Sequence, residues 1–421
     1  MKSKSDRFYE TENSRFMLLE LRILMKLTTL LSIVFTIIIT LYPTINQSSL
    51  LTVKTKENLE LIRSCQQQRI AAEKIAQQKP IATTATEQNK TPPYIKLPVE
   101  CRNLSHAVES LSQAKKGLRR QNLSKLSLHG VDLHGADLKA TDLRGTLLQR
   151  GNLQGGNLAD AELDSADFTE ANLSNANFNG EKFRVISNVN FYRANLANAD
   201  FRELEFNTDV SFLEANLENA VFRGILYGSN FNYANLQKST IKNSTISGDF
   251  THANFSNADL NKILIRYAYM RRAVFTNANL SGVSFRTSAL DGADFADANL
   301  SGATFSRHYG SDDTSTMVKA GFEYANLQNA KFDSIDFTQV DFEGANLKNV
   351  SFSKPQNLSN SQIKSACNWE KILFVDYLPF PLADTEAIKK ARQASQLYIE
   401  QLKQDKASNP KFPPDCSRWL S

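Results

Sequence analysis

Four cysteines are the most reactive side chains in this sequence, and all lie outside its middle. Cys65 and Cys101 precede the central block, and Cys367 and Cys416 follow it. In an oxidising compartment each flank can close a disulfide; in a reducing one all four stay thiols. Their even number does not choose between the two. The five histidines are His106, His129, His134, His252 and His308, and no Cys/His spacing resembles a zinc site. A glycine-rich phosphate loop and a nucleophile elbow are also missing. One stretch stands out, "SRHYGSDDTSTMVK" at 306–319, where His308, Tyr309, Asp312 and Asp313 offer contacts to a partner or a cation. A solvated loop is the simpler reading of it. No catalytic residue, cofactor, metal or small-molecule substrate is expected.

Most of the chain is given to positioning rather than chemistry. In "ADFADANLSGATF" Ala293 and Ala298 alternate with Phe295, Leu300 and Phe305 at intervals of five. On an α-helix a step of five turns about 140° and scatters these residues over every face. In a straight strand an odd step sends them to opposite faces. The pattern is buried only if each quintet forms one short side of a coil and then turns a corner. Alanine and the large apolar residue then point inward, and the polar residues face water.

The repeat holds phase from Leu123 to Phe183, Phe191 to Phe206, Phe212 to Tyr227, Phe231 to Ile246, Phe250 to Phe305 and Phe322 to Phe352. The interior blocks contain multiples of four units, which predicts a square coil of twenty residues with insertions and deletions gathered at one edge. Residues 121–352 then make about eleven coils and a rod about 50 Å long. Residues twenty apart should stack, so Asp132–Asn152–Asn172 and Asp259–Asn279–Asn299 become outward ladders with one acid over amides. Asp142 over Glu162 departs from that economy.

One buried Leu or Phe stabilises by about 1.5–3 kcal/mol, while ordering five residues costs about 5–10 kcal/mol. A single unit therefore cannot fold alone, and both ends of the stack need covers. A short helix within 99–120 is expected at the start. At the end, 353–421 reads as a helical cap: "SQIKSACNWEKILF" has a helical period, and so does "TEAIKKARQASQLYIEQLKQ". In the latter Ile388, Ala391, Ala394, Tyr398 and Leu402 share one face. Trp369, Phe374, Tyr377 and Phe380 would plug the last coil.

The N-terminal flank contains "LTTLLSIVFTIIITLY", sixteen residues without a charge, within a span of 27–45. That length suits one transmembrane anchor, the alternatives being a cleaved signal peptide or a buried helix. Six Lys/Arg precede it, which keeps residues 1–26 in the cytoplasm and sends the repeat to the periplasm or a lumen. Residues 52–79 read as a solvated stalk helix and 80–98 as an extended linker.

These quintets resemble the pentapeptide-repeat family, whose unit is written A(D/N)LXX: "ANLSNANF", "ANLANADF" and "ANLKNVSF" follow it closely. The resemblance implies a right-handed quadrilateral β-helix. The segment after the repeat looks like the tail of cyanobacterial members. Most members have no known activity, and a minority are acidic rods that mimic DNA and protect topoisomerases. Here the block 121–352 carries 20 basic and 27 acidic residues, a net of −7, against +5 for the whole chain. A membrane-tethered scaffold for an unknown protein partner is the expected function. A DNA-mimic regulator of a nucleic-acid enzyme is the alternative, and direct nucleic-acid binding is not expected.

Overall fold

The computed structural model describes residues 56–57, 59–68, 111 and 115–420, except 182–183, 208, 307–315 and 376–384. Nearly all of them fall in the second of two compact units, Asn58–Ser421. The expected segments 1–26, 27–45 and 80–98 lie outside the described residues. Among those described, no helix is long and apolar enough to cross a membrane.

Each quintet behaves as one side of a square coil, and the coils stack as a parallel β-solenoid with four faces. On face 2 the ladder passes through Ser127, Leu147, Asp167, Asn190, Ser211, Asn230, Asp249, Tyr269, Ala289, Thr316, Asp336 and Gln356. Face 3 stacks Asp132 through Asp341, and face 4 stacks Asp137 through Cys367. Face 1 begins at Asn122–Asp142–Glu162 and later runs Thr245, Leu264, Ser284, Thr304, Lys331, Ser351 and Leu373. Departures from twenty gather on face 1 and its corners, as in Val221–Ile225 and Ser306–Thr316.

The unit Asn152–Gly156 shows where five backbone amides go. Asn152 N donates down to Val131 O at 2.8 Å, and Leu153 N donates up to Asn172 O at 2.7 Å. Gly155 N reaches Ser174 O at 2.8 Å, and Gly156 N closes the turn on Leu153 O at 2.9 Å. The remaining donor, Gln154 N, is taken by Asn152 Oδ1 at 3.3 Å. Every donor is thus paired, as a buried backbone requires. The turn's third residue adopts a left-handed φ, 64° at Gly155, 58° at Arg150 and 57° at Asp297. A non-glycine residue pays roughly 1 kcal/mol for this, which the coil-to-coil bonds offset.

The same asparagines tie coils together. Asn152 Nδ2 donates to Asp132 Oδ1 at 3.0 Å, Asn172 to Asn152 at 3.4 Å and Asn195 to Asn172 at 3.3 Å. Asp132 accepts only, which explains an acid at the foot of the ladder. Asn279 likewise donates to Asp259 at 2.9 Å. The pair that departs from the one-acid economy is bridged: Arg144 reaches Asp142 at 2.8 Å and Glu162 at 3.1 Å. Its hydrogen bond holds the Asp142 carboxyl below the usual range.

Inside, phenylalanines stack along the axis. Phe168, Phe191, Phe212, Phe231 and Phe250 lie at centroid spacings of 5.2, 5.0, 4.5 and 4.7 Å, nearly parallel. Ala293, Phe295, Ala298, Leu300 and Phe305 are all buried, as are Ile265 and Met270 in the weakly patterned unit. Two centres differ from expectation. Leu226 is buried in place of Tyr227, which is 47% exposed, because the side from Val221 is one residue shorter. Ile186 takes the position expected of Phe183, in register with Phe206.

The covers also differ. Helical residues 59–68, part of the expected solvated stalk, instead pack on the first coil, with Leu59 and Ile62 buried in the same hydrophobic core as Leu118 and Leu123. Gln66 accepts from Ser127 N at 3.0 Å and donates to Ser127 O at 2.8 Å, replacing the bonds a preceding coil would make. Arg63 does the same for Asn122 O at 2.9 Å. At the other end only the first four residues of "SQIKSACNWEKILF" are α-helical, in α1, Asn360–Lys364. Leu373–Val375 continues the ladder on Ser351–Ser353, because Phe374 stacks on Phe352 at 5.7 Å. Helix α2, Thr385–Gln404, lies across that strand, and Ser395 Oγ accepts from Phe374 N at 2.7 Å. Its inward side uses Ser395, Ile399 and Leu402, whereas Ala394 is exposed.

Leu300→Asp places a carboxylate on the filled axis and should destabilise the rod by more than about 4 kcal/mol. Asn299→Ser should cost about 1 kcal/mol or less. Chemical denaturation checks both, and equal losses would contradict the inside/outside assignment. Asn152→Asp sets a carboxylate over Asp132, a repulsion of about 1 kcal/mol in water. It should lower stability at neutral pH and recover as both acids protonate on acidification. Melting of wild type and variant from pH 7 to 4 measures this.

Candidate functional site

The solenoid has no room for a substrate on its axis, since the stacked side chains fill it. What it can offer is the outside. Faces 3 and 4 are amide ladders for much of their length, flat and already hydrogen-bonded. Near the C-terminal end face 3 becomes acidic, with Asp294 and Asp341 on the ladder and Glu323 and Glu343 at its corner. Burial, together with Asp341, Asp294 and Glu343, pushes the Glu323 carboxyl up. On face 2 the amide pattern gives way to aromatic and basic residues around Tyr269, which is 55% exposed.

The three described cysteines end in bonds. Cys367 on face 4 pairs with Cys416, and Cys65 in the N-terminal cover is also disulfide-bonded. Cys101 lies outside the described residues. The first bridge ties the C-terminal tail back to the rod. There Arg418 donates to Asp297 at 2.6 Å, and Trp419 Nε1 donates to Gly344 O at 2.8 Å. Buried Lys364 donates to Asp405 O and, at 3.0 Å, to Asn409 Oδ1, so its charge is solvated by the tail.

Of the candidate loop residues, His308, Tyr309, Asp312 and Asp313 fall outside the described residues. The histidines are dispersed. His134 leans on Asp132 with Nδ1 at 2.9 Å from Oδ1, and His252 stacks on Tyr233 at 4.6 Å. Among the described residues no cluster of His, Cys, Asp and Glu is arranged to hold a metal. A trough of about 550 Å³ lies between α2 and the rod, bordered by Lys331, Lys371, Arg392 and Ser395. It gathers three basic groups and the carboxylate of Glu370. Sequence reasoning missed the two rows of arginine beside Tyr269. Their signal was a run without acids, Leu260–Leu290, inside an acidic block.

A family model for pentapeptide repeats matches residues 118–150, 141–180, 186–224, 268–307 and 320–354. Among solved structures the chain is similar to HetL, a pentapeptide repeat protein involved in heterocyst differentiation regulation from the cyanobacterium Nostoc sp. strain PCC 7120. The identity is 27% over 60% of this chain and 92% of that one, with a TM-score of 0.20. It is similar to QnrB1, a plasmid-mediated fluoroquinolone resistance protein, at 17% identity over 54% of this chain and 91% of that one, with a TM-score of 0.22. A third is a pentapeptide repeat protein of the Arabidopsis thaliana thylakoid lumen, at 26% identity over 34% and 71%, with a TM-score of 0.17. No curated protein matches the chain. The repeat-by-repeat match, the quintet geometry and the four parallel ladders are the features in which this rod is similar to pentapeptide-repeat proteins.

Proposed function

We propose that this chain is a non-catalytic scaffold, tethered to a membrane through 27–45, whose rod presents flat faces to a protein partner. The observation that carries the reading is the filled axis: with Leu and Phe packed along the centre, only the outer faces are available for recognition. Pre-formed ladders help, because a rigid surface loses little conformational freedom on binding. The tail after the repeat fits a member of cyanobacterial type.

The rod's place is argued from its cysteines. Disulfides persist in oxidising compartments and are rare in the cytosol. Cys367–Cys416 and the bonded Cys65 therefore support a periplasmic or lumenal rod with residues 1–26 in the cytoplasm. The basic excess before the apolar run favours the same orientation. The net of −7 on the repeat favours a DNA-mimic regulator as a second reading. That reading needs a cytoplasmic rod, which the disulfides oppose.

Protease added to intact spheroplasts expressing the full chain should digest the rod; protection until permeabilisation would reverse the orientation. Thiol labelling of denatured chain from such cells should find no reactive cysteine before reduction. Cys367→Ser should loosen the tail and lower stability by about 2–4 kcal/mol, since the bridge closes a separation of 49 residues. A melt unchanged by this substitution would show that the tail does not hold the end.

A further inference from the structure

The rod's charge is not evenly spread. Between Leu260 and Leu290 there are five basic residues and no acid, in a block whose net is −7. Four of the five border one face. Arg266 and Arg286 lie directly over one another at one edge of face 2, paired in register across neighbouring coils. Arg271 and Arg272 stand at the opposite edge, with exposed Tyr269 between the two rows. Below Arg272 the same corner carries His252 stacked on Tyr233.

Stacking two cations in register is unfavourable by itself; Arg223 and Lys242 also stack, and there Lys242 reaches Asp259 at 3.0 Å. Arg150, Arg193 and Lys238 each sit against a glutamate one coil away, at 2.6, 2.7 and 2.8 Å. Arg266, Arg272 and Arg286 make no ion pair among the described residues; Arg271 alone reaches an acid, Asp291, at 3.4 Å. Both acids described at the patch are already hydrogen-bonded. Asp249 accepts from Asn232 and Thr251, and Asp291 accepts from Thr316 and Val318 N. The guanidinium groups of Arg266, Arg272 and Arg286 are thus exposed and without an ion pair among the described residues, on a flat surface with aromatic anchors.

We propose that this part of face 2 is the docking surface for an acidic protein segment. This rests on the scaffold reading and names its face and its partner's chemistry. Arginine pairs bidentately with carboxylates, and Tyr and Arg are the residues on which protein interfaces concentrate their binding energy. The extent of the patch argues against a long polyanion. A nucleic-acid strand needs a continuous basic track. Here the edge column of Arg266 and Arg286 becomes Ser247 and Tyr227 on one side and Ser306 on the other. A polymer leaving the patch would meet the acidic remainder of the rod.

The test uses the full-length chain in mild detergent and a labelled peptide of about ten alternating Glu and Tyr residues. A deoxythymidine oligomer and a polygalacturonate oligomer of similar length serve as competing classes. The peptide should bind saturably and more weakly as salt rises. The double variant Arg266→Glu/Arg286→Glu, and Tyr269→Ala separately, should each weaken it roughly tenfold or more. Lys125→Glu, far along the rod, should leave binding unchanged, and melting of each variant verifies the fold. Absence of saturable binding, binding indifferent to the face 2 variants, or tighter binding of either oligomer overturns the assignment. Cross-linking in cells separates the two levels. Partners captured equally by wild type and the double variant would overturn the face but keep the scaffold; a wild-type rod that captures none would remove both.

Discussion

The structure depends on one hydrogen bond that a five-residue side cannot make with its own backbone or with its neighbours. Four of the five amides in Asn152–Gly156 find carbonyls in the turn or in adjacent coils. The fifth, at Gln154, points outward at the corner and is taken by the side chain of Asn152. An oxygen two residues before the amide is the shortest device that serves. The second position of the quintet is therefore so often Asn or Asp, and the corner can be turned without glycine. Where the residue is Asn, its amide group continues to the coil below and the cap becomes a ladder.

From that bond the rest follows by stacking. A satisfied corner lets the apolar residue point to the axis, where ring sits on ring at about van der Waals spacing. The stack must end somewhere, and each end uses a side chain that imitates a coil. Gln66 offers its amide to both backbone groups of Ser127, and Ser395 offers its hydroxyl to Phe374. Unpaired edges invite other strands, so these covers also keep the rod from joining end to end.

Much of this was legible in the residues. The interval of five, the multiples of four and the pairing of one acid with amides all reappear as coil, face and ladder, because each reports a local steric or electrostatic condition. The rest depended on long-range packing. Leu226 and Tyr227 are adjacent and both large, and only the shortened side from Val221 decides which turns inward. Residues 59–68 have the composition of a solvated helix, and their contact with the first coil is set across about sixty residues of chain. The arginine rows beside Tyr269 are scattered in sequence and converge only when two coils are stacked.

The register across an insertion tests the stacked square coil most directly. Between Asn172 and Asn195 the ladder step is twenty-three residues rather than twenty. Cysteines placed at 172 and 195 should oxidise to a bridge readily, at about the 5–6 Å Cα separation a disulfide accepts. Cysteines at 172 and 192 should not, because Tyr192 lies at the preceding corner. Efficient bridging of 172 with 192, and none with 195, would contradict the fold and everything built on its faces.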